Sequence, residues 1–329
     1  MNTLPVDSGR SVRDDGLVCC AVGDEQYALR GADVRQIVRV EKMQGAVSVD
    51  GRVGTLDVAG QAVPVFRLGS VLGRPAGPRP SHGAGHHIAV TGESGDLVGW
   101  LVDRIVRTPL LQGTRVVALP AVVGTVATTW FEALVKLGDS SVLLIAPQYL
   151  SPLARRPARS DGTRAFSVSE PMLAGSEERM VLLFSTPALP RCGAPRYALS
   201  GRRIAAIVQP LPAIVVPGSA RHVTGVAWWR DAVVPMIDFR GRGDHDDLAQ
   251  RRRCVIAQCG PRLGGTLVAF PVDSEIVLHR PGPEDRQAAG IPRPAFAVGM
   301  FDVDGEVVAL LDIDTLLAPE RPEAERIPA

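Results

Sequence analysis

The chain has 329 residues, 46% of them hydrophobic, and a formal net charge of +1 at neutral pH. That length fits roughly two domains of about 150 residues each, and the apolar content fills packed cores, which excludes a disordered chain. A charge this close to balance sets up no global field for a nucleic-acid backbone or an anionic membrane.

Residues 1–16 are polar and read as a flexible lead without the apolar stretch of a secretory leader. Leu17 to Val22 is a β-type run, and the turn-grade Gly23-Asp24-Glu25-Gln26 joins it to Tyr27-Ala28-Leu29 as a hairpin. Gly60 separates two further strands, Val53 to Val58 and Ala62 to Leu68. Pro64 inside the second predicts an edge position or a bulge. Arg74 to Gly85 reads as a surface loop, Ile88 to Thr91 and Val98 to Val106 as another hairpin, and Leu134 to Leu137 with Val142 to Ile145 as a last one. No apolar run approaches the ~20 residues of a membrane span.

From Ala154 to Arg179 the composition turns to Arg, Pro, Ser and Glu, which reads as a linker. The order then repeats over Met180 to Phe184, Arg196 to Leu199, Val223 to Phe239, Arg253 to Gln258, Thr266 to Val272 and Val298 to Ile313. Tyr27-Ala28-Leu29 and Tyr197-Ala198-Leu199 are 170 residues apart, as are Val102-Asp103 and Val272-Asp273; Val63-Pro64 and Val234-Pro235 are 171 apart. Gly138 with Leu143-Leu144 matches Gly305 with Leu310-Leu311 at 167. So small a drift identifies a tandem duplication, with domains over 17–153 and 180–317 and a flexible tail over 318–329. Short strands at regular spacing argue for small β-barrels in a mainly all-β chain.

Catalytic and metal signatures are sparse. His82, His86 and His87 lie in a Gly-rich stretch without a ligand partner at a recognised spacing, and Asp244-His245-Asp246-Asp247 lacks the pattern of a calcium loop; both read as solvated loops. Asp103 and Asp273 read as hydrogen-bonded strand ends rather than catalytic carboxylates. The cysteines at 19, 20, 192, 254 and 259 form no zinc spacing, and their odd number fits a reducing cytoplasm. No phosphate loop or nucleophile elbow occurs. Positive charge is nearly all Arg, with Lys only at 42 and 136, which codon usage explains more simply than phosphate recognition. Trp100, Trp228 and Trp229 have no basic groove around them and read as core or protein-contact residues. No catalytic site, cofactor or metal is therefore expected.

The ordered motifs resemble a family. Val22-Gly23-Asp24-Glu25-Gln26-Tyr27-Ala28-Leu29 is similar to the opening of a CheW-like domain, the adaptor module of bacterial chemosensory arrays. The family's central G-V-I-N-L-R-G-x-V-I-P-V-I-D-L pattern resembles Gly54 to Leu68 and Gly225 to Phe239. Its G-x-x-V-D-x-V element resembles Gly99 to Ile105, and its closing element Leu310-Leu311-Asp312-Ile313. The resemblance implies two tandem CheW-like domains, each a pair of five-stranded SH3-like barrels with few short helices. It implies a non-catalytic cytoplasmic adaptor that joins chemoreceptor tips to a CheA-type histidine kinase, with other CheW-like domains as further partners. The family's Arg is Ala59 in copy one, while copy two keeps Arg230 but has Asp231 for Gly; a common Glu is Gln36 in one copy and Ala206 in the other. Docking is expected near Val34, Gln36, Ile37, Gly60 and Pro64, and near Ile204, Ile207, Arg230 and Pro235, with core packing as the competing role for the apolar ones. A pair of nucleic-acid-binding barrels and an enzyme with a dispersed site are the alternatives; neither accounts for the duplicated motifs.

Overall fold

The computed structural model describes residues 16–40, 51–74, 86–150 without 94 and 109–113, and 180–318 without 187, 191–193, 195, 240–252, 273–274, 283–284 and 289–291. Nearly all of the expected lead, linker and tail, together with His82, Cys192, the 244–247 loop and Asp273, lies outside the described residues. The chain divides into two compact units, essentially one for each copy.

In copy one, β1 (Leu17–Val22) and β2 (Glu25–Arg30) pair across a two-residue turn that opens on Gly23 at φ 58°. The chain then leaves for a second sheet made of β3 (Val34–Val40), β4 (Arg52–Val58), β5 (Gln61–Arg67), β6 (His86–Thr91) and β7 (Val98–Val102). Short helix α1 (Leu68–Val71) follows β5. β8 (Arg104–Thr108), β9 (Arg115–Ala118), β10 (Phe131–Leu137) and β11 (Ser140–Ile145) return to the first sheet, with α2 (Thr125–Trp130) before β10 and α3 (Pro147–Leu150) after β11. The orders are β8-β1-β2-β11-β10-β9 and β3-β6-β7-β5-β4.

Copy two repeats this with β12 (Val181–Phe184), β13 (Arg196–Ser200), β14 (Ile204–Val208), β15 (Ala213–Ile214), β16 (Val223–Trp229), β17 (Ala232–Ile237) and β18 (Arg253–Gln258). β19 (Leu267–Val272), β20 (Val277–His279), β21 (Arg286–Gln287), β22 (Ala297–Val303), β23 (Glu306–Leu311) and α4 (Ile313–Leu316) complete it. Its orders, β20-β12-β13-β23-β22-β21 and β14-β18-β19-β17-β16-β15, match those of copy one strand for strand, except that the part of copy one corresponding to β15 lies outside the described residues. The mainly-β fold is as expected; among the described residues three of the sheets carry six strands and one carries five.

The duplication extends to irregularities. β-bulges fall at Val34/Gln36 and Ile204/Ala206, at Arg52/Gly54 and Val223/Gly225, and at Phe131/Ala133 and Ala297/Gly299. A bulge re-aims a strand and fixes register, so its recurrence is a sharper sign of common descent than matched residue types. The parallel pairings recur as well, with Leu143 opposite Tyr27 and Ala309 opposite Tyr197. That register aligns Leu143-Leu144 with Ala309-Leu310, one residue from the match drawn on leucines alone. A one-residue slip exchanges the two faces of a strand, which is why the ladder decides. Gly138 and Gly305 likewise hold different places: Gly138 opens its turn and Gly305 closes the other.

Each copy encloses a separate apolar core per sheet. All five strands β3 to β7 contribute to one, including Val38, Leu56, Val63, Ile88 and Leu101, so that sheet is curled around its own interior. The opposite faces are buried too: Phe66 lies against Trp100 at 6.3 Å and Tyr27 stacks on Phe131 at 6.1 Å. Tyr27 keeps its polar tip satisfied by donating to Glu25 Oε2 at 2.6 Å, while its counterpart Tyr197 donates to the Pro190 carbonyl at 2.7 Å.

Three local expectations are corrected. Pro64 is not on an edge strand, since β5 lies between β7 and β4; Pro235 has the same setting, on β17 between β19 and β16. Each proline sits one residue before the parallel ladder begins, at Val65 and at Met236, so its missing N–H falls outside that ladder. Val98 to Val106 is not one strand, because the chain changes sheets at Asp103. His86 and His87 are not loop residues; they open β6 opposite Val40 and Arg39.

Asp103 has a structural task at that crossover. Its Oδ2 accepts the Gly23 N–H at 2.7 Å, its own N–H donates to the Ala21 carbonyl at 3.0 Å, and His86 Nδ1 lies 3.8 Å from Oδ1. The carboxylate therefore ties the β1–β2 turn to the crossing strand. We expect Asp103→Ala to cost about 1–2 kcal/mol in urea denaturation, with Asp103→Asn recovering part of it, since the loss is of a hydrogen-bond acceptor.

Candidate docking surfaces

The expected docking residues fall into three groups, apart from Pro64, which is half-buried on β5 and lines a groove. Val34 and Pro235 are buried and serve as core residues. Gln36, Ile37 and Ile204 are half-buried, and Ile207 is 40% exposed. All four lie on β3 or β14, which are edge strands and so offer backbone as well as side chains to a partner. Gly60 and Arg230 sit at the tips of equivalent hairpins, both exposed.

The two tips differ chemically. Ala59 and Gly60 take φ of 53° and 83°, and Asp57 Oδ1 accepts the Gly60 N–H at 3.0 Å. In copy two Arg230 takes φ 55°, and its guanidinium carbon lies 4.5 Å from the centre of the Trp229 ring. An exposed cation held over an indole is preorganised for an acidic or carbonyl-rich partner surface. Trp228 and Trp229 are both half-buried, whereas Trp100 is core, donating to Thr91 Oγ1 at 2.8 Å.

Copy one also carries an open groove of about 850 Å³ beside Pro64. Its walls include Asp33 from the turn before β3, Arg35 from β3, Glu93 and Asp96 from the β6–β7 connection, and Gln148 from α3. The connection turns back sharply at Gly92, at φ 105°, where a Cβ would collide with the Asp96 carbonyl. Arg35 Nε donates to the Gly92 carbonyl at 3.0 Å, so this cation is engaged with the wall. Burial raises the Asp33 carboxyl above its usual value of 3.8, with repulsion from Glu132 adding to it and Arg30 opposing. Sequence reasoning missed the groove because its residues come from four separate stretches with no spacing signature.

A raised carboxyl pKa means that the folded state holds its proton more tightly than the unfolded state. Stability then falls as pH rises through the window just above 3.8, and ionised Asp33 works against folding at neutral pH. We therefore expect Asp33→Asn to raise the denaturation midpoint slightly at neutral pH, with the gain vanishing towards about pH 3. A gain independent of pH would contradict this cause.

Elsewhere the chemistry is quiet. Burial pushes the Cys20 and Cys259 thiols up to about 12, which leaves both protonated and unreactive. Among the described residues no group of three or more His, Cys, Asp or Glu is placed to hold a metal ion, and no helix is long and apolar enough to cross a membrane.

Two paired-sheet units with the same strand order, bulges and parallel ladders define a tandem all-β repeat protein. The chain belongs to the CheW-like domain family, whose model matches it twice, over residues 16–150 and 188–321. It is 29% identical over 115 residues to the chemotaxis protein CheW of Rhizobium meliloti (strain 1021), a stretch covering 34% of this chain and 74% of that protein. A solved structure, the scaffolding protein TtCheW from Thermoanaerobacter tengcongensis, is 22% identical with a TM-score of 0.34, covering 40% of this chain and 88% of its own. Family membership places the chain among chemotaxis coupling adaptors in the general sense.

Proposed function

We propose that the chain is a cytoplasmic, non-catalytic scaffold that couples chemoreceptor tips to a CheA-type histidine kinase, its two copies having taken different partners. The observation that carries this is one domain built twice with its accessible surface changed. The frame, bulges and parallel ladders are kept, while the hairpin tip changes from Ala59-Gly60 to Arg230-Asp231 on a Trp shelf. Strand edges and a preorganised Arg are features of docking surfaces, where a few anchors carry most of the binding energy.

The test uses the full chain with one edge altered at a time. Ile37→Glu on β3 and Ile207→Glu on β14 place a charge on equivalent edges without touching a core. Co-sedimentation with a CheA-type kinase core and with a receptor signalling fragment is expected to show each variant losing a different partner. Loss of the same partner by both variants, or of none, would sink the division of labour.

A further inference from the structure

The counterpart of the copy-one groove is bridged in copy two by that copy's own residues. Four elements wall the groove: the turn before β3 with the start of that strand, β5, the β6–β7 connection and α3. The ladders and helix starts place Arg203 where copy one has Asp33, and Asp314 where it has Gln148. The β18–β19 connection, which contains Gly260, stands for the third wall. Asp314 Oδ1 accepts the Gly260 N–H at 2.6 Å, and its Oδ2 pairs with Arg203 Nη2 at 3.7 Å. One carboxylate, only 10% exposed, thus ties the counterparts of three of the four walls together.

The fit is close. A Cβ on Gly260 would collide with Asp314 Oδ2 and come within 3.0 Å of the Arg203 guanidinium. Asp314 is itself set by α4, whose N-cap Asp312 accepts from the N–H groups of Asp314 and Thr315 and from the Thr315 hydroxyl. Copy one has the opposite charge at the first position and no charge at the second. Its groove holds Asp33, Glu93 and Asp96 against a single Arg35, which is turned to the Gly92 carbonyl.

We propose that the copy-one groove docks a partner segment presenting a basic side chain, and that copy two is closed to such a segment by the Arg203–Asp314–Gly260 latch. Arg203 supplies from within the cation that the partner brings to copy one. This deepens the scaffold reading by naming the chemistry of one docking site, and it rests on that reading only in treating the groove as a place where peptide binds.

The test is a titration of the isotope-labelled full chain, followed by amide NMR, with two nine-residue Gly/Ser/Ala peptides identical except for a central Arg or Glu. The Arg peptide is expected to move the Asp33, Gly92 and Gln148 amides saturably and to leave Arg203, Gly260 and Asp314 in place. The Glu peptide is expected to move neither set. Asp33→Asn should weaken the Arg response roughly three- to tenfold, and the pair Asp33→Arg with Gln148→Asp, which installs the latch, should abolish it. No response, an equal response to the Glu peptide, an unchanged Asp33→Asn, or a response in copy two would each overturn the proposal. The experiment contains no kinase or receptor, so its outcome is separable from that of the scaffold reading.

Discussion

Trp100→Ala is expected to remove about 3–5 kcal/mol from the stability of copy one, the range for truncating a fully buried aromatic. Trp100 is 1% exposed, packs near Phe66, and donates its indole N–H to Thr91, itself only 2% exposed. Truncation leaves a cavity and also deprives a buried hydroxyl of its partner, so the two losses fall together. Trp100→Phe keeps most of the ring volume and loses the hydrogen bond, so its cost should be nearer 1–2 kcal/mol. Urea denaturation followed by far-UV circular dichroism distinguishes them. A loss under about 1 kcal/mol for the alanine variant would contradict the packing described.

Arg230→Gly is expected to move stability and binding in opposite directions. Arg230 holds φ 55°, a left-handed conformation that glycine adopts without strain, so the substitution should relieve about 0.5–1 kcal/mol in the hairpin. Against that stands the contact with Trp229, worth about 0.5–1 kcal/mol at an exposed site, which leaves the fold near neutral or slightly more stable. Docking through copy two should fall by about 2 kcal/mol, roughly thirtyfold, if the cation is an interface anchor. Calorimetric titration with the partner of copy two, alongside thermal denaturation, reads both quantities. Unchanged affinity would remove Arg230 from the docking surface.

Much of the frame was legible in the sequence because duplication writes each constraint twice. The Tyr-Ala-Leu segments, the Val-Pro pairs and the Val-Asp dipeptides recur at nearly constant separation; the Val-Pro pairs mark the start of a parallel ladder, and Asp103 marks a change of sheet. Strands set by long-range pairing were harder to read. β20 is a short edge strand whose partner β12 lies far back in the chain, β9 and β21 are edge strands too short to show a pattern, and α2 carries no capping side-chain hydrogen bond to mark its start. Matching leucines placed the final hairpins one residue out, because residue type cannot separate neighbouring registers where both faces are apolar. The docking residues were legible as a region on β3, β14 and the hairpin tips. Which side chains stay exposed was not legible: Val34 is buried whereas Ile204, at the same bulge in copy two, is half-buried, and Ile207 is exposed.

A scaffold must hold other proteins as the intact chain. Sedimentation velocity of the full chain mixed with a CheA-type kinase core and a receptor signalling fragment should give a saturable complex containing all three. The chain sedimenting alone in that mixture, while it binds oligonucleotides with a steep salt dependence, would contradict it and favour a nucleic-acid-binding β protein.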